Sequence, residues 1–362
     1  MSVPDSAADL VDAAVASGLI PGAVLAAGIG SEEPVLLHVA GDAQRDKDDR
    51  RPMRADTIFD LASLTKVVAT LPCVLRLIAT GEIGLDDQVG RYLPAFDRAG
   101  KDGVTVRHLL AHISGLPDQR RYYQYMQDAS EIRSAALAEP LVSQPGSTFC
   151  YSDVGFITLG ELCASVAGTG LEQLVRELVC EPLALADTCY LPSPALAARI
   201  ASTEHVGGAA KNGIVHDENA EAMGGVAGHA GLFGTVADLA RYAAAWVQPE
   251  SEAGVALQLP AWLTTEALRC QTDGLAGGGR RGLGWGLRND RFDNMGDGWP
   301  VTGAGHTGFT GTSLSIDPAS GLWTVLLTNS VHFGRGPKHS VVGLRKQVHA
   351  ATAAALLDRV VQ

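Results

Sequence analysis

The spacing of apolar residues predicts a helix and then a β-hairpin at the start of the chain. Between Asp5 and Ser17 apolar side chains recur on one helical stripe, and Gly18 follows as a stop signal. Two short apolar runs, 23–28 and 35–39, are separated by a polar turn segment, which is typical of paired strands. The chain therefore opens with one helix and two strands.

The middle of the chain is predicted to be mainly helical. From Ser63 to Thr80 the residues are apolar on nearly all sides, so this helix is expected to be buried. Strand patterns are sparse between about residues 85 and 230. Further helices are predicted over 105–112, 153–166 and 171–180.

Strand patterns return after a predicted helix at 237–247. Strands are expected at 284–287, 311–316 and 322–328, and the chain closes with a predicted helix at 344–360. The strands thus come from both ends of the chain, which indicates an α/β fold with an inserted helical part.

The length of 362 residues allows two lobes. We predict a discontinuous sheet domain formed by residues 1–62 and 230–362. Residues 63–229 are predicted to form a mainly helical domain. The active site is expected in the cleft between the two domains.

Composition narrows the class of partner. Lys and Arg number 28 against 40 Asp and Glu, a formal charge of −12, and no long basic run is present. A small molecule is therefore expected as partner, and neither nucleic acid nor membrane. The six cysteines form no C-x-x-C pair and are predicted to be reduced. Because Met1 to Asp5 carry no basic leader and no apolar run reaches the ~20 residues of a membrane span, we expect a cytoplasmic protein.

Ser63 and Lys66 are the sharpest candidates for chemistry. Residues three apart in a helix share a face, so the hydroxyl and the amine become neighbours. A serine needs a base to become a nucleophile, and a lysine is that base only when burial or positive potential lowers its pKa. The alternative is a solvated lysine in the first helical turn. The apolar helix that follows favours the catalytic interpretation.

Tyr151 is a second candidate, on a loop or at a helix start. A tyrosine can shuttle protons when a neighbouring ammonium lowers its pKa. Taken alone, the segment is more typical of a packed ring, with Ser152 or Asp153 capping the next helix. Both interpretations stay open on the residues alone.

The glycines around His306 are a third candidate. Residues 303–308 satisfy G-x-G-x-x-G, but the dinucleotide fingerprint follows a strand and opens a helix. Here a loop is expected before the motif and a strand after it, so the fingerprint is rejected and no cofactor is expected. Glycines that enter a strand leave backbone N–H groups available to an oxyanion.

No metal centre is expected. The run His216-Asp217-Glu218 lacks paired-ligand spacing and favours a substrate-facing or capping loop. His108 and His112 are one helical turn apart without a third ligand, so a structural role is favoured. The absence of G-x-S-x-G argues against an α/β-hydrolase.

Jointly, these segments resemble the serine β-lactamase and penicillin-binding-protein superfamily, in particular its class C branch of β-lactamases, esterases, D-amino-acid peptidases and acyltransferases. The segments that carry the resemblance cover most of the chain: 59–66, 106–117, 145–153, 225–239 and 306–308. The resemblance implies a β-lactamase/transpeptidase-like α/β (α+β) fold, in which helices flank an antiparallel sheet.

The resemblance also implies a role for each site residue. Ser63 would attack a carbonyl to form an acyl-enzyme, and Lys66 and Tyr151 would share the proton transfers. The backbone N–H groups of Ser63 and Phe309 would form the oxyanion hole. The substrate-binding residues would be Asp153, His306, Thr307 and Gly308.

Two departures from the family pattern bear on the substrate. Asp153 stands where lactam-degrading members commonly have asparagine, and an ionised aspartate cannot donate to a substrate carbonyl. His306 stands where they have a permanent cation, which weakens the attraction for an anionic β-lactam. We expect weak or no β-lactamase activity and a preference for neutral or amine-bearing esters and amides.

The predicted function is a serine hydrolase of a small ester or amide, with esterase as the first choice. Three alternatives stay open: an acyltransferase that passes the acyl group to an amine or alcohol in a biosynthetic pathway, a D-amino-acid peptidase, and a non-catalytic protein with the same fold. The sequence does not identify the acyl group, the leaving group, the pathway or the oligomeric state.

Overall fold

A computed structural model of the protein describes residues 6–46, 49–97, 100–336 and 338–360. Met1 to Asp5, where the sequence predicts no leader and where the first predicted helix begins, lie outside the described residues. The architecture below concerns the described ranges.

The main sheet is built from the two ends of the chain. Its first group of strands is β1 (Gly22–Ile29), β2 (Leu36–Arg45) and β3 (Arg50–Pro52). Its second group is β9 (Gly286–Leu287), β10 (Ala304–Thr307), β11 (Ser313–Asp317) and β12 (Leu322–Thr328). All neighbours pair antiparallel in the order β3-β2-β1-β12-β11-β10-β9. The pairing of β1 with β12 joins the two chain ends at the centre of the sheet.

Helices lie before, between and after these two groups of strands. The helices are α1 (Ala7–Ala16), α2 (Leu71–Ala79), α3 (Val106–Leu110), α4 (Ala129–Ala138), α5 (Asp153–Ala167), α6 (Leu171–Val175), α7 (Glu218–Ala222), α8 (Val236–Val247), α9 (Glu252–Leu257), α10 (Ala261–Leu268) and α11 (Lys338–Val360). The remaining strands are β4 (Phe59–Asp60), β5 (Cys189–Tyr190), β6 (His205–Val206), β7 (Ala209–Ala210) and β8 (Leu232–Gly234). β4, β8 and β5 form a small second sheet, and β6 pairs with β7.

Both faces of the main sheet are covered, because alternate residues of a strand point to opposite sides. Val24 and Ala26 of β1 belong to the large core that also contains α8 and the central helical segment. Ala23 and Leu25, on the opposite face, pack with α1 and α11. All seven residues of β12 are buried, as expected for a strand covered on both sides. The predicted fold class, an antiparallel sheet flanked by helices, is confirmed.

The apolar segment predicted from Ser63 to Thr80 is helical but not uniform. It begins as a 3₁₀ turn at Ala62–Leu64, continues as a π-helix at Lys66–Thr70 and becomes α2. The 18 residues Ala62–Ala79 have a mean hydropathy of 1.6, apolar enough by composition to cross a membrane, but 83% of them are buried inside the protein. This segment is the core helix of the fold.

Several short strands are absent from the sequence prediction. β10 places His306 and Thr307 on a strand of the main sheet inside the glycine-rich motif, where no strand is predicted, while the predicted loop before the motif and the predicted strand after it are both found. β4, β5 and β8 are two or three residues long, and the pattern does not predict them. Runs this short show no period of two, and neighbouring strands rather than local pattern stabilise them. The six cysteines are free thiols, as predicted.

Gly228 lies where the loop before β8 crosses α5. A Cβ at this position would lie 2.1 Å from the backbone oxygen of Phe156 and 2.9 Å from the backbone nitrogen of Gly160. The carbonyl of Gly228 accepts a 2.6 Å hydrogen bond from Thr70 Oγ1. Only glycine therefore allows the loop to touch both α5 and the core helix.

Gly228→Ala is expected to lower the free energy of unfolding by at least about 1–3 kcal/mol, because two backbones must separate to admit the methyl group. Urea unfolding followed by circular dichroism measures the change. Gly103→Ala is the matched control, since no atom lies within 4 Å of its Cβ position. Equal stability of the two variants would contradict the close approach.

Candidate active site

The turn that carries Ser63 is held by a buried carboxylate. Asp60 Oδ1 accepts the backbone N–H of Ala62 at 2.8 Å, and its Oδ2 accepts the backbone N–H of His216 at 2.6 Å. Ala62 has φ of +49°, in the left-handed region that alanine rarely adopts. The hydrogen bond to Asp60 stabilises this strained backbone directly before Ser63.

The loop between β10 and β11 is bonded to the same turn. Thr310 Oγ1 and Thr312 Oγ1 donate to the two carbonyls that precede the turn, at 2.8 and 3.1 Å. A Cβ at Gly308 would lie 2.1 Å from Thr312 Oγ1, so the contact requires glycine. These hydrogen bonds connect the turn that contains Ser63 to the loop that contains Phe309. The family resemblance assigns the N–H groups of these two residues to an oxyanion hole.

Lys66 is fully buried, and its ammonium has two hydrogen-bond acceptors and one ion-pair partner. Nζ lies 3.0 Å from Ser63 Oγ, 3.0 Å from the backbone oxygen of His229 and 2.8 Å from Asp153 Oδ1. Burial by itself lowers the pKa of Lys66, but the carboxylate of Asp153 and the phenol of Tyr151 outweigh it, and the net pKa is raised. The spacing of Ser63 and Lys66 predicts a base with a lowered pKa, and the pairing of Lys66 with Asp153 is the reason for the difference.

Asp153 is the first residue of α5, and Ser152 caps that helix by accepting the N–H of Gly155 at 3.0 Å. An acidic residue in the first turn is favoured by the helix dipole. The side chain of Asp153 is 22% exposed. Its carboxylate, expected from the resemblance to bind substrate, forms an ion pair with Lys66 and also lines a cavity at the site.

Tyr151 and His306 face each other across the cleft. Tyr151 Oη lies 3.5 Å from His306 Nε2, and His306 Nδ1 lies 2.9 Å from the carbonyl of Thr307. Because a carbonyl only accepts, Nδ1 carries the proton and Nε2 accepts from the phenol. Burial, and then the cations Arg281 and Lys66, hold the pKa of His306 well below its usual range, so the ring is neutral.

Two cavities meet at this cluster. One has a volume of about 580 Å³ and is lined by His306, Thr307 and Gly308 together with apolar residues near the start of α11. The other has a volume of about 470 Å³ and is lined by Asp153, Asp217 and Arg291 among others. Both are lined by Ser63, Tyr151, Phe292, Phe309 and Arg335. A substrate carbonyl at Ser63 would thus have space on two sides for its two substituents.

All of the site residues named from the sequence are found at this place. Lys66 and Asp153 contact each other, Tyr151 contacts His306, and Thr307, Gly308 and Phe309 line the cavity beside Ser63. The ring of Phe309 is 41% exposed and stacks on His216 with centroids 5.6 Å apart. Of the run His216-Asp217-Glu218, all three line the second cavity, and Asp217 also caps α7.

The roles of His229, Arg345 and His112 beside the site were not predicted from the sequence, and neither was the bond between Asp217 and the His229 ring. His229 supplies its carbonyl to Lys66, and Asp217 bonds the His229 ring at 2.9 Å. Arg345 of α11 donates to the carbonyl of Gly308 at 2.6 Å and lines the larger cavity. His112 stacks on Tyr151. A backbone acceptor leaves no signal in a sequence, and Arg345 lies in an unremarkable amphipathic helix.

One group among the described residues has the composition of a metal site. Asp46, His205 and His332 bring their ligand atoms within 4.8 Å of one another. His332 Nδ1 donates to the carbonyl of Thr203, and its Nε2 accepts the backbone N–H of Arg45 at 3.0 Å. The lone pair that a metal would need is therefore engaged, and the group is held together by hydrogen bonds.

The chain is similar to known proteins over most of its length. The family model described as Beta-lactamase matches residues 7–343. A protein of Escherichia coli K12 named "Putative D-alanyl-D-alanine carboxypeptidase" is 31% identical over 319 residues, which cover 78% of this chain and 71% of that protein.

Two solved structures share the fold. One, described as "EstCE1, a hydrolase with promiscuous acyltransferase activity", superposes with a TM-score of 0.74 at 23% identity and covers 96% of this chain and 97% of that chain. The other, a mutant of a class C β-lactamase, has a TM-score of 0.74 at 19% identity and covers 97% of both chains. The family match over nearly the whole chain and the relative of 31% identity show that the protein belongs to the β-lactamase family, within the serine-hydrolase superfamily that includes the penicillin-binding proteins.

Proposed function

We propose that this protein hydrolyses a small ester or amide through an acyl-enzyme on Ser63, and that it is of esterase type with weak or no β-lactamase activity. The observation that carries the proposal is the 3.0 Å contact between Lys66 Nζ and Ser63 Oγ at the meeting point of the two cavities. A nucleophile and a proton-transfer group within hydrogen-bond reach are the minimum for covalent acyl transfer.

In the free cleft Lys66 holds its proton, so it must lose that proton before it can accept one from Ser63. Asp153 Oδ1, at 2.8 Å, is the acceptor within reach. A bound substrate would cover the exposed part of Asp153, and loss of water disfavours two charges relative to a neutral acid and amine. The proton would then pass from Nζ to the carboxylate, which frees the amine.

In acylation, Lys66 and Tyr151 move one proton from Ser63 to the leaving group. Ser63 Oγ bonds to the carbonyl carbon as its proton passes to Lys66, and the bond from that carbon to the leaving oxygen breaks. Tyr151 donates its phenolic proton to the departing alcohol and recovers one from Lys66. In deacylation water takes the place of the alcohol, and its proton passes through Tyr151 and Lys66 to Ser63 Oγ as the bond from the acyl carbon to Ser63 breaks. This step releases the acid and restores Ser63.

Two features support a low affinity for β-lactams. His306 is neutral, so it adds no positive charge where the family pattern has a cation. In the free cleft Asp153 presents a carboxylate paired with Lys66, so it meets an incoming amide carbonyl without a proton to donate. Arg345 also lines the larger cavity, but it donates to the carbonyls of Gly308 and Gly311.

Two further candidate functions are favoured by specific comparisons. The relative named for a D-alanyl-D-alanine carboxypeptidase supports cleavage of D-amino-acid amides. The likeness to EstCE1, described as a hydrolase with promiscuous acyltransferase activity, supports transfer of the acyl group to an acceptor other than water. A second cavity beside Ser63 gives such an acceptor room to approach.

The test of the function is a substrate panel followed by intact-mass analysis. We expect kcat/KM for p-nitrophenyl acetate to exceed that for a penicillin by about 100-fold or more, as loss of a charge-assisted contact implies. Ser63→Ala should lose activity by about 10³-fold or more and show no added acyl mass. Turnover of a D-alanine amide would support the peptidase alternative. Diversion of the product from acid to amide by an amine at millimolar concentration would support the acyltransferase alternative. Penicillin turnover equal to ester turnover would refute the esterase assignment.

The pH dependence of kcat/KM tests the ion pair between Lys66 and Asp153. The negative charge of Asp153 raises the pKa of Lys66, so its removal lowers that pKa and the free amine appears at lower pH. In Asp153→Asn the acidic limb of the profile should move down by about 1–3 pH units.

Asp118→Asn is the control for this shift, because Asp118 lines the same cavity as Asp153. Its carboxylate accepts the backbone N–H of Gln119 and is not paired with Lys66. Its acidic limb should coincide with that of the unmodified protein. An acidic limb in Asp153→Asn that stays in place or moves to higher pH would show that Lys66 is not the titrating group.

A further inference from the structure

The wall behind Tyr151 is formed by His112, just after α3. His112 is 1% exposed and has φ of +58°, in the left-handed region that few residues other than glycine and asparagine adopt. A strained backbone at a buried position persists only where its surroundings hold it. The surroundings that hold His112 in this conformation are Tyr151 and its two neighbours in the chain.

Two main-chain hydrogen bonds join His112 to the residues on either side of Tyr151. The backbone N–H of Cys150 donates to the carbonyl of His112 at 2.9 Å. The backbone N–H of Ser152 donates to His112 Nδ1, also at 2.9 Å. The position of the Tyr151 backbone is thus determined from both sides by one residue.

The imidazole ring also supports the Tyr151 side chain. Its centroid lies 4.5 Å from that of Tyr151 with an interplanar angle of 30°, and 5.0 Å from that of Phe156 with an angle of 33°. The ammonium of Lys66 lies 5.1 Å from the centroid of Tyr151 and 5.8 Å from that of Phe156. The stack therefore sets where the Tyr151 ring stands relative to the ammonium.

His112 performs this role as a neutral ring. Because Nδ1 accepts from Ser152, Nε2 carries the proton, and burial together with Arg281 and Lys66 holds the pKa of His112 well below its usual range. Nε2 is buried and has no hydrogen-bond partner among the described residues. A phenylalanine would pack without that unpaired N–H, so the feature that distinguishes histidine here is the acceptor at Nδ1.

We propose that His112 is a positioning residue that places the Tyr151 phenol for proton transfer, chiefly through the bond from Ser152 N–H to Nδ1. The proposal rests on the proposed function, because it requires Tyr151 to be catalytic. His112 acts through Tyr151 and does not touch the reacting atoms. A displaced phenol affects the chemical step rather than substrate binding, so the effect falls on kcat.

His112→Asn and His112→Gln form a matched pair that tests the proposal. Asparagine accepts a left-handed backbone and presents Oδ1 near the place of Nδ1, whereas glutamine carries its amide one atom further out. With p-nitrophenyl acetate, kcat of the asparagine variant should stay within about 5-fold of the unmodified protein. The glutamine variant should lose about 10–100-fold in kcat with KM within about 3-fold, the scale of a misplaced catalytic group.

His108→Asn is the control for altering a histidine of this segment. His108 Nδ1 accepts the backbone N–H of Thr105 at 3.2 Å, an equivalent bond outside the site, so its kcat should be unchanged. All variants are assayed below their measured melting temperatures. Should the glutamine variant not fold, His112→Gly replaces it, since glycine accepts the left-handed backbone and offers no side-chain acceptor.

Tyr151→Phe separates failure of this proposal from failure of the proposed function. If Tyr151→Phe is impaired while the asparagine and glutamine variants behave alike, His112 does not position the phenol and the function stands. If Tyr151→Phe retains full kcat, the proton route through Tyr151 is wrong, and the role of His112 is refuted with it. Rescue by asparagine alone supports the proposal.

Discussion

The buried ammonium of Lys66 is the constraint that organises the site. A charge without exposure to water needs close acceptors, and Lys66 finds them in three separate parts of the chain: the turn at Ser63, the start of α5 and the loop before β8. Each part must be in place before the charge can be buried. The same requirement brings the hydroxyl of Ser63 to the amine, so the condition for folding and the condition for the proposed chemistry coincide.

Strained and closely packed backbone surrounds this charge. Ala62 and His112 are non-glycine residues with positive φ, and each lies next to a segment that carries a site residue. Gly228 and Gly308 allow backbone contacts that a methyl group would break. Hydrogen bonds accepted by the carboxylate of Asp60 and donated by the hydroxyls of Thr310 and Thr312 offset the strain at the Ser63 turn. The result is a cleft whose geometry is set by the folded chain, which would reduce the reorganisation required during the proposed reaction.

Elements with a long apolar segment could be predicted from the sequence. β1, β12, α8 and the apolar segment after Ser63 appear where the pattern placed them, because each contains enough apolar residues to stand out from its flanking segments. β10 and the small sheet of β4, β5 and β8 could not be predicted, since two to four residues carry no period. Their stability comes from strands distant in sequence, which the local pattern does not reveal.

Local motifs carried the family resemblance, and the resemblance in turn implied the antiparallel fold class and most of the residues that gather at the cleft. The spacing of Ser63 and Lys66 belongs with these, because a helix alone makes the two residues neighbours. The charge state of Lys66, the partner of Asp153 and the place of His112 behind Tyr151 became visible only in the folded chain. Those properties arise from burial and from contacts between segments far apart in the sequence, because electrostatic energy depends on distances in space and on exclusion of water.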